Sequence, residues 1–330
     1  MSQTPLYPLR FAPIYQYRLW GGRRLADLLA APLPGDGPIG EAWVLSDRED
    51  HPSQVADGPL KGRTIRQLLE QSSEQLLGNL TGRFRRFPLL LKFLDAREML
   101  SVQVHPSDAH PELLPAGETG KTEAWVVLEA GPESRIYAGL RPGTTAEDLR
   151  CALTDGTVAE HIACFTPKAG DSVFIPAGTV HTLGGGVVVF EVQQNSDVTF
   201  RLYDWGHTDA KTHKPRALQV DQALACVDFG KSAGGLVTPV VESTARVERE
   251  TLFHCEQFRL SRVRGRSPFT VGATGVPRVL VCIDGSGEVE HAGATYEAGK
   301  GDVFLLPAVL GACTFQPRGA VKVLEIEIPE

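Results

Sequence analysis

The chain has 330 residues, 42% hydrophobic and 22% charged, enough for a sizeable core and roughly two ordinary domains. A formal charge of −7 and a pI near 5.8 exclude wholesale binding to nucleic acid or an anionic membrane and leave room only for a local basic pocket. The six cysteines are scattered without a C-x-x-C pair and read as reduced thiols, and no run of about 18 apolar residues suggests a membrane span, so the chain is expected in the cytoplasm.

Helical periodicity is concentrated early. RRLADLLAAP at 23–32 and RTIRQLLEQSSEQLLGNL at 63–80 place apolar residues at helical spacing. Most later segments are short, β-branched and bounded by glycine or proline, which predicts strands. LLLKFLDA at 89–96 is a mostly apolar run whose Lys92 either supports a neighbouring site or snorkels to the surface. TTAEDLRCALTDGTVAEHI predicts one or two short helices, an insert near 144–165, with Thr144 or Thr145 as N-cap. The fold class is therefore mainly β with a few peripheral helices.

An internal echo organises the remainder. Ala169 to Gln193 resembles Lys300 to Ile328: each has Gly-Asp, an apolar strand, Pro-Ala, a turn and another strand. Two copies of one β unit are expected, too few for a solenoid. Laying Gly170-Asp171 over Gly301-Asp302 puts Pro176 on Pro307 and His181 on Ala312. Gly, Asp and Pro can serve turn geometry in both copies, while only the first keeps an imidazole. DFGKSAGGLVTP is a candidate linker and sets a boundary near residue 233, giving units 1–233 and 234–330.

Three segments of the first unit carry chemistry. In LSVQVHPSDAH, strand alternation directs Ser101, Gln103 and His105 one way and Val102 and Val104 the other. In GKTEAWVVLEA it groups Lys121, Glu123 and Trp125, and in TVHTL it groups Thr179, His181 and Leu183. Gln103, His105, Glu123 and His181 can thus converge inside a barrel, a donor set suited to zinc, with iron or manganese as alternatives. With Glu123 the only anionic donor, a divalent ion would keep an excess of about one positive charge, useful for polarising substrate oxygens. The same histidines would also serve as hydrogen-bonded core residues, a reading that spacing leaves open.

LLLKFLDAREMLSVQVHPSD, GKTEAW and PAGTVHTLGGGVVVFEVQQNSDVTFRLYDW, with the N-terminal RLWGGRRL and IGEAWVLS, resemble the type I mannose-6-phosphate isomerases of the cupin superfamily over most of residues 7–207 and in the expected order, five motifs together being far more specific than any one. The resemblance implies two cupin-like jelly-roll barrels, the second without metal ligands, and a zinc ion on Gln103, His105, Glu123 and His181. It implies reversible conversion of mannose 6-phosphate to fructose 6-phosphate by proton transfer between C1 and C2 through an enediol-type intermediate. Lys121, Glu191, Asp197 and Arg201 are implied to line the active site, with Arg201 polarising sugar oxygens or orienting phosphate, Lys121 beside it, and Asp197 holding the two in place. Glu191, Lys121 and a metal-bound water are all candidates for moving the proton. Ser101 falls on a substrate-side position, and Trp20 and Glu41 on residues near the pocket entrance.

Two features set this chain apart from longer relatives of that kind. The interval between Glu123 and His181 is too short for their helical insert, which matches the short bacterial form, and Leu183 stands where they commonly carry tyrosine. An iron oxygenase on the same fold suits a glutamine ligand poorly. A non-catalytic sugar-phosphate sensor, or an isomerase of a related sugar phosphate, remains the alternative to the mannose 6-phosphate enzyme. The partners expected are a small sugar phosphate and no nucleic acid or membrane, with the chain acting as a monomer. His110, His207 and His254 are read as surface or structural residues.

Overall fold

The computed structural model describes residues 4–209, 213–230, 234–243 and 246–330. Its strands pair antiparallel and form two units, each a pair of facing sheets. In the first unit a seven-stranded sheet runs Gly235–Leu236, Ser172–Ile175, Glu123–Ala130, Val187–Gln194, Leu89–Ala96, Ile14–Gly22 and Ile39–Leu45, and a five-stranded sheet runs Phe200–Tyr203, Val102–Val104, His181–Leu183, Ile136–Leu140 and Ile162–Phe165. The second unit repeats the plan. Its seven-stranded sheet centres on Arg278–Asp284, Val321–Glu327 and Arg259–Gly265, and its four-stranded sheet contains Phe269–Val271, Cys313–Pro317, Ser286–His291 and Ala294–Gly299. The facing sheets of each unit stay separate among the described residues, so the barrels expected from the sequence are jelly-roll sandwiches.

The two seven-stranded sheets lie back to back on one apolar core. Leu89, Leu91, Phe93, Val188, Phe190 and Val192 of the first unit share it with Leu260, Val279, Val281, Leu324 and Ile326 of the second. The opposite face of the first sheet also packs inward, through Leu94, Trp125, Val127 and Val189. Strands buried on both faces read as continuous apolar runs rather than alternating ones, and every position of Leu89–Ala96 and Val187–Gln194 is buried. Charged residues within these runs, Lys92 and Glu191 among them, are therefore forced into the interior.

The five-stranded sheet separates its faces as the alternation predicts. Val102, Val104, Ile162 and Leu202 pack outward beneath Leu149 and Ala152 of the helix Ala146–Asp155 and Ala223 and Leu224 of the helix Val220–Cys226. That leaves Gln103 to the interior. Thr145, not Thr144, caps the first of these helices: its hydroxyl accepts from Asp148 N while the Asp148 carboxylate accepts from Thr145 N, and Gly156 ends the helix at φ 74°. The helix Ile65–Leu77 is capped in the same way by Thr64 and Gln67 and breaks at Ser72. RRLADLLAAP yields only Leu25–Leu28, while Val220–Cys226, at seven residues, is too short for periodicity to reveal.

The echo corresponds to one structural device used twice. The strand before Pro176 and the strand before Pro307, Ser172–Ile175 and Val303–Leu306, occupy matching places in the two seven-stranded sheets. Gly170 and Gly301 turn at φ 95° and 92°, in the left-handed region that favours glycine. Asp171 then accepts from Lys168 N and Asp302 from Gly299 N, each at 2.8 Å. The boundary expected near residue 233 lies outside the described residues; just beyond it Gly235–Leu236 pairs with the first unit's Ser172–Ile175, while Leu9–Arg10 near the N-terminus pairs with the second unit's Val303–Leu306.

Phe93 is fully buried and meets Phe190 edge-on at 5.4 Å in the core shared by both units. Phe93→Ala should cost about 3–5 kcal/mol in urea unfolding, the range for deleting a buried aromatic ring. A loss below about 1 kcal/mol would show that the back-to-back core does not hold the sheets.

Candidate active site

Glu123 opens its strand on the inner face of the seven-stranded sheet, and Gln103, His105 and His181 reach it from the sheet opposite. His181 pairs in register with Gln103 across neighbouring strands, which fixes their side chains on the same face. Glu123 Oε1 lies 3.3 Å from His181 Nε2, and Glu123 Oε2 lies 3.4 Å from His105 Nε2. All three side chains are buried, and one ligand atom from each falls within 4.8 Å of the others.

The remote ring nitrogens settle the tautomers. His105 Nδ1 is 2.9 Å from the Val198 carbonyl oxygen, and His181 Nδ1 is 2.9 Å from that of Thr179. A carbonyl can only accept, so each Nδ1 carries the hydrogen and each Nε2 turns a lone pair toward Glu123. Lys121 Nζ donates to His105 Nε2 at 2.8 Å and also to Glu123 Oε2, while the Gln103 amide nitrogen faces His181 Nε2 at 3.2 Å. Glu123 Oε1 is buried without a hydrogen bond. A carboxylate between two imidazole lone pairs, one of its oxygens orphaned and each imidazole oriented from behind by a carbonyl, fits a divalent metal ion. Gln103 stands beside this triad with its amide oxygen toward the Ser101 hydroxyl, at 3.4 Å.

A cavity of about 440 Å³ opens above the cluster, lined by Trp20, Glu41, Ser101, Gln103, Lys121, Glu191, Asp197 and Arg201, and also by Arg18, Lys92, Trp125 and Arg216. Its charges are arranged in contacts. Lys92 Nζ is 3.3 Å from Glu191, 3.7 Å from Asp197 and 4.0 Å from Glu41. Arg18 grips Glu41 with two hydrogen bonds of 2.8 and 3.1 Å, and Trp43 Nε1 adds a third at 2.7 Å. Trp125 Nε1 donates to Glu191 Oε2 at 2.8 Å, leaving buried Oε1 without a hydrogen bond.

Ionisation follows from this placement. Burial and the neighbouring Lys121 ammonium push the His105 imidazole down to about 3, which keeps it neutral, as a ligand must be. Burial by itself would raise Glu123, but the Lys121 ammonium outweighs it and holds the carboxyl well below the usual range. For Glu41 the same opposition, burial against Arg18 and Lys92, ends at about 2. Burial would lower Lys92, yet Glu191 and Glu41 raise it above its ordinary value. Glu191 goes the other way: burial and then the Glu123 charge raise it, and Lys92 only partly offsets them. Two buried carboxylates of one cavity are thus pushed in opposite directions, the pattern that marks acid–base sites.

Every residue singled out from the sequence lies in the cavity lining or in the buried cluster against it, but their partnerships differ in part. Asp197 faces Lys92, whereas Arg201 donates to the Ala217 carbonyl at 2.9 Å and keeps its buried Nε unpartnered. Burial and the Arg216 guanidinium lower the Arg201 pKa; Arg216 in turn is held by Asp204. Lys92 is buried rather than snorkelling. Arg18 and Arg216 were missed. Arg18 carries a signal, since alternation puts it on the face of Trp20, two positions on; Arg216 follows a strand in an irregular segment and carries none.

Two jelly-roll units, one holding a buried two-histidine, one-glutamate cluster beneath a charged cavity, define a cupin-type protein with a potential metal centre. Residues 9–122 match the phosphomannose isomerase type I catalytic domain. Over 304 residues the chain is 34% identical to the mannose-6-phosphate isomerase ManA of Bacillus subtilis, covering 92% of this chain and 94% of that protein. It is 32% identical to the mannose-6-phosphate isomerase of Streptococcus mutans, covering 90% and 92%. The crystal structure of a mannose 6-phosphate isomerase from Bacillus subtilis superposes with a TM-score of 0.89 at 30% identity, over 97% of this chain and 99% of the other. The chain belongs to the type I phosphomannose isomerase family.

His181→Ala removes one of the three convergent donors. Elemental analysis of the folded variant should show bound divalent metal reduced at least tenfold against the unaltered protein; unchanged metal content would mean that the cluster is a hydrogen-bonded core and nothing more.

Proposed function

We propose that this chain interconverts mannose 6-phosphate and fructose 6-phosphate, with one zinc ion held by Gln103, His105, Glu123 and His181. The observation that carries the reading is the buried Glu123 carboxylate at the floor of the cavity, whose orphaned Oε1 faces the His181 Nε2 lone pair while Oε2 faces that of His105. Bound there, a divalent ion supplies Lewis acidity toward the sugar oxygens.

The chain's own residues divide the remaining work by position. Arg201 and Arg216 line the cavity on the side of the segment after the strand Phe200–Tyr203. Two guanidiniums close enough for one to depress the other gain most from a dianion between them, so they take the phosphate. The unpartnered Arg201 Nε supports this assignment. Lys121, nearest the cluster, offsets the negative charge that builds on O1 and O2 as the enediolate forms.

Glu191 is assigned the proton. Its Oε2 is fixed by Trp125, and its Oε1, 3.3 Å from the Lys92 ammonium and without a hydrogen bond, accepts the proton from C2 of the aldose and returns it to C1, while the O2 hydroxyl proton passes to O1. Atoms balance without a further reactant. Lys92 holds Glu191 in place while Asp197 and Glu41 share its charge. We further assign the chain as a monomer. Among the described residues no helix is long and apolar enough to cross a membrane, and we assign the enzyme to the cytoplasm.

Because the Glu191 pKa is raised, its carboxylate is populated only above that raised value and is lost as pH falls through it. The acid limb of kcat/KM for mannose 6-phosphate should therefore lie above the ordinary glutamate range of about 4.3. Glu191→Gln should remove that limb and cut kcat about 100-fold or more with metal content retained. Arg216→Gln should instead raise KM at nearly constant kcat. Full turnover in Glu191→Gln would transfer the proton step to another group.

A further inference from the structure

We infer that the C-terminal unit holds a second ligand site, a cationic cavity that takes the phosphate group of a small metabolite. The cavity, of about 320 Å³, lies between the two sheets of that unit and is lined by Arg249, Arg259, Arg278, Ser261, Thr270 and Glu325, with Glu327 at its side. Strand register shows that it occupies the place of the active cavity. In the first unit Glu123 stands opposite Gln193 on one neighbouring strand and Ile175 on the other. In the second, Arg278 stands opposite Glu327 and Leu306, and Leu306 is the residue that the echo lays over Ile175. Arg278 therefore sits where the first unit has its metal-facing glutamate.

The substitution continues along the neighbouring strand. Lys92 opposite Glu191 in the first unit corresponds to Ser261 opposite Glu325 in the second, and His181 falls on Ala312. The backbone plan is kept while the metal-facing acid is exchanged for a base and both histidine and glutamate donors are lost, so the second cavity is not built for a metal ion and, with Arg249, Arg259 and Arg278 against Glu325 and Glu327, keeps a positive excess that suits an anion. Its carboxylates are already committed. Glu325 accepts from Arg249 Nη1 at 2.6 Å and from Gly272 N at 2.8 Å, and Arg278 pairs with Glu327 at 2.9 Å. Arg259 is left over: its Nη2 donates to Thr251 Oγ1 at 3.1 Å, its Nε is buried without a partner, and among the described residues no carboxylate forms an ion pair with it.

A guanidinium with an unused donor, two further arginines held in place by the cavity's own carboxylates and the Ser261 hydroxyl match a tetrahedral group with several acceptor oxygens. The volume leaves room for a short carbon skeleton beyond the phosphate. This reading is independent of the reaction assigned to the first unit.

Calorimetric titration of the full chain with inorganic phosphate tests it. In Arg216→Gln, which weakens the phosphate cradle of the first unit, about one equivalent should still bind; adding Arg259→Gln should weaken that binding at least tenfold. Arg259→Gln alone should leave isomerase turnover unchanged. Should Arg259→Gln not fold, Arg259→Lys should keep phosphate binding and Ser261→Asp, which places a carboxylate in the cavity, should abolish it. Phosphate binding that is absent from Arg216→Gln, or that survives Arg259→Gln or Ser261→Asp unaltered, would overturn the proposal.

Discussion

The Glu123 carboxylate is a fully buried negative charge between two β-sheets, and the rest of the site is arranged around that constraint. An unpaired carboxylate in such a place is too costly to keep, so a positive charge must stand within reach. Lys121, two positions earlier on the same face, meets one oxygen; the other faces the His181 lone pair and lacks any donor. The half-satisfied state makes sense if the cluster is built for a second cation. It also adds to the environment of Glu191, whose proton affinity rises through burial first and through the nearby Glu123 charge second.

Doubly covered sheets supply the low-dielectric setting. The core shared by the two units seals one face of the seven-stranded sheet of the first unit, and the five-stranded sheet and its helices cover the other. Charges on the inner face are then coupled at close range: Arg18 to Glu41, Glu41 to Lys92, Lys92 to Glu191 and Asp197. Such a network keeps side chains in place before substrate arrives, so less reorganisation is left for the reaction itself.

Strand alternation made much of this legible without coordinates. It grouped Gln103 with His105, and Lys121 with Glu123, because period two leaves a residue only two faces to choose from. The gapless echo also located the turns, since Gly170-Asp171 and Gly301-Asp302 use the same hydrogen bond. What alternation could not supply was register between distant strands. Lys92 opposite Glu191 depends on how two strands slide past each other, so Lys92 stayed ambiguous and Asp197 was assigned to Arg201 and Lys121. Arg216, outside any periodic segment, had no pattern to betray it. The two units show the same division: shared positions set turns and strand order, while Glu123 and Arg278 on equivalent backbone sites set opposite charge.

The most direct test of the central claim is a coupled assay of fructose 6-phosphate formation from mannose 6-phosphate, run on chelator-treated protein before and after zinc is returned. The account predicts that activity disappears with the metal and returns with it. Activity that persists in fully metal-free protein would contradict it, as would folded, zinc-loaded protein that makes no fructose 6-phosphate.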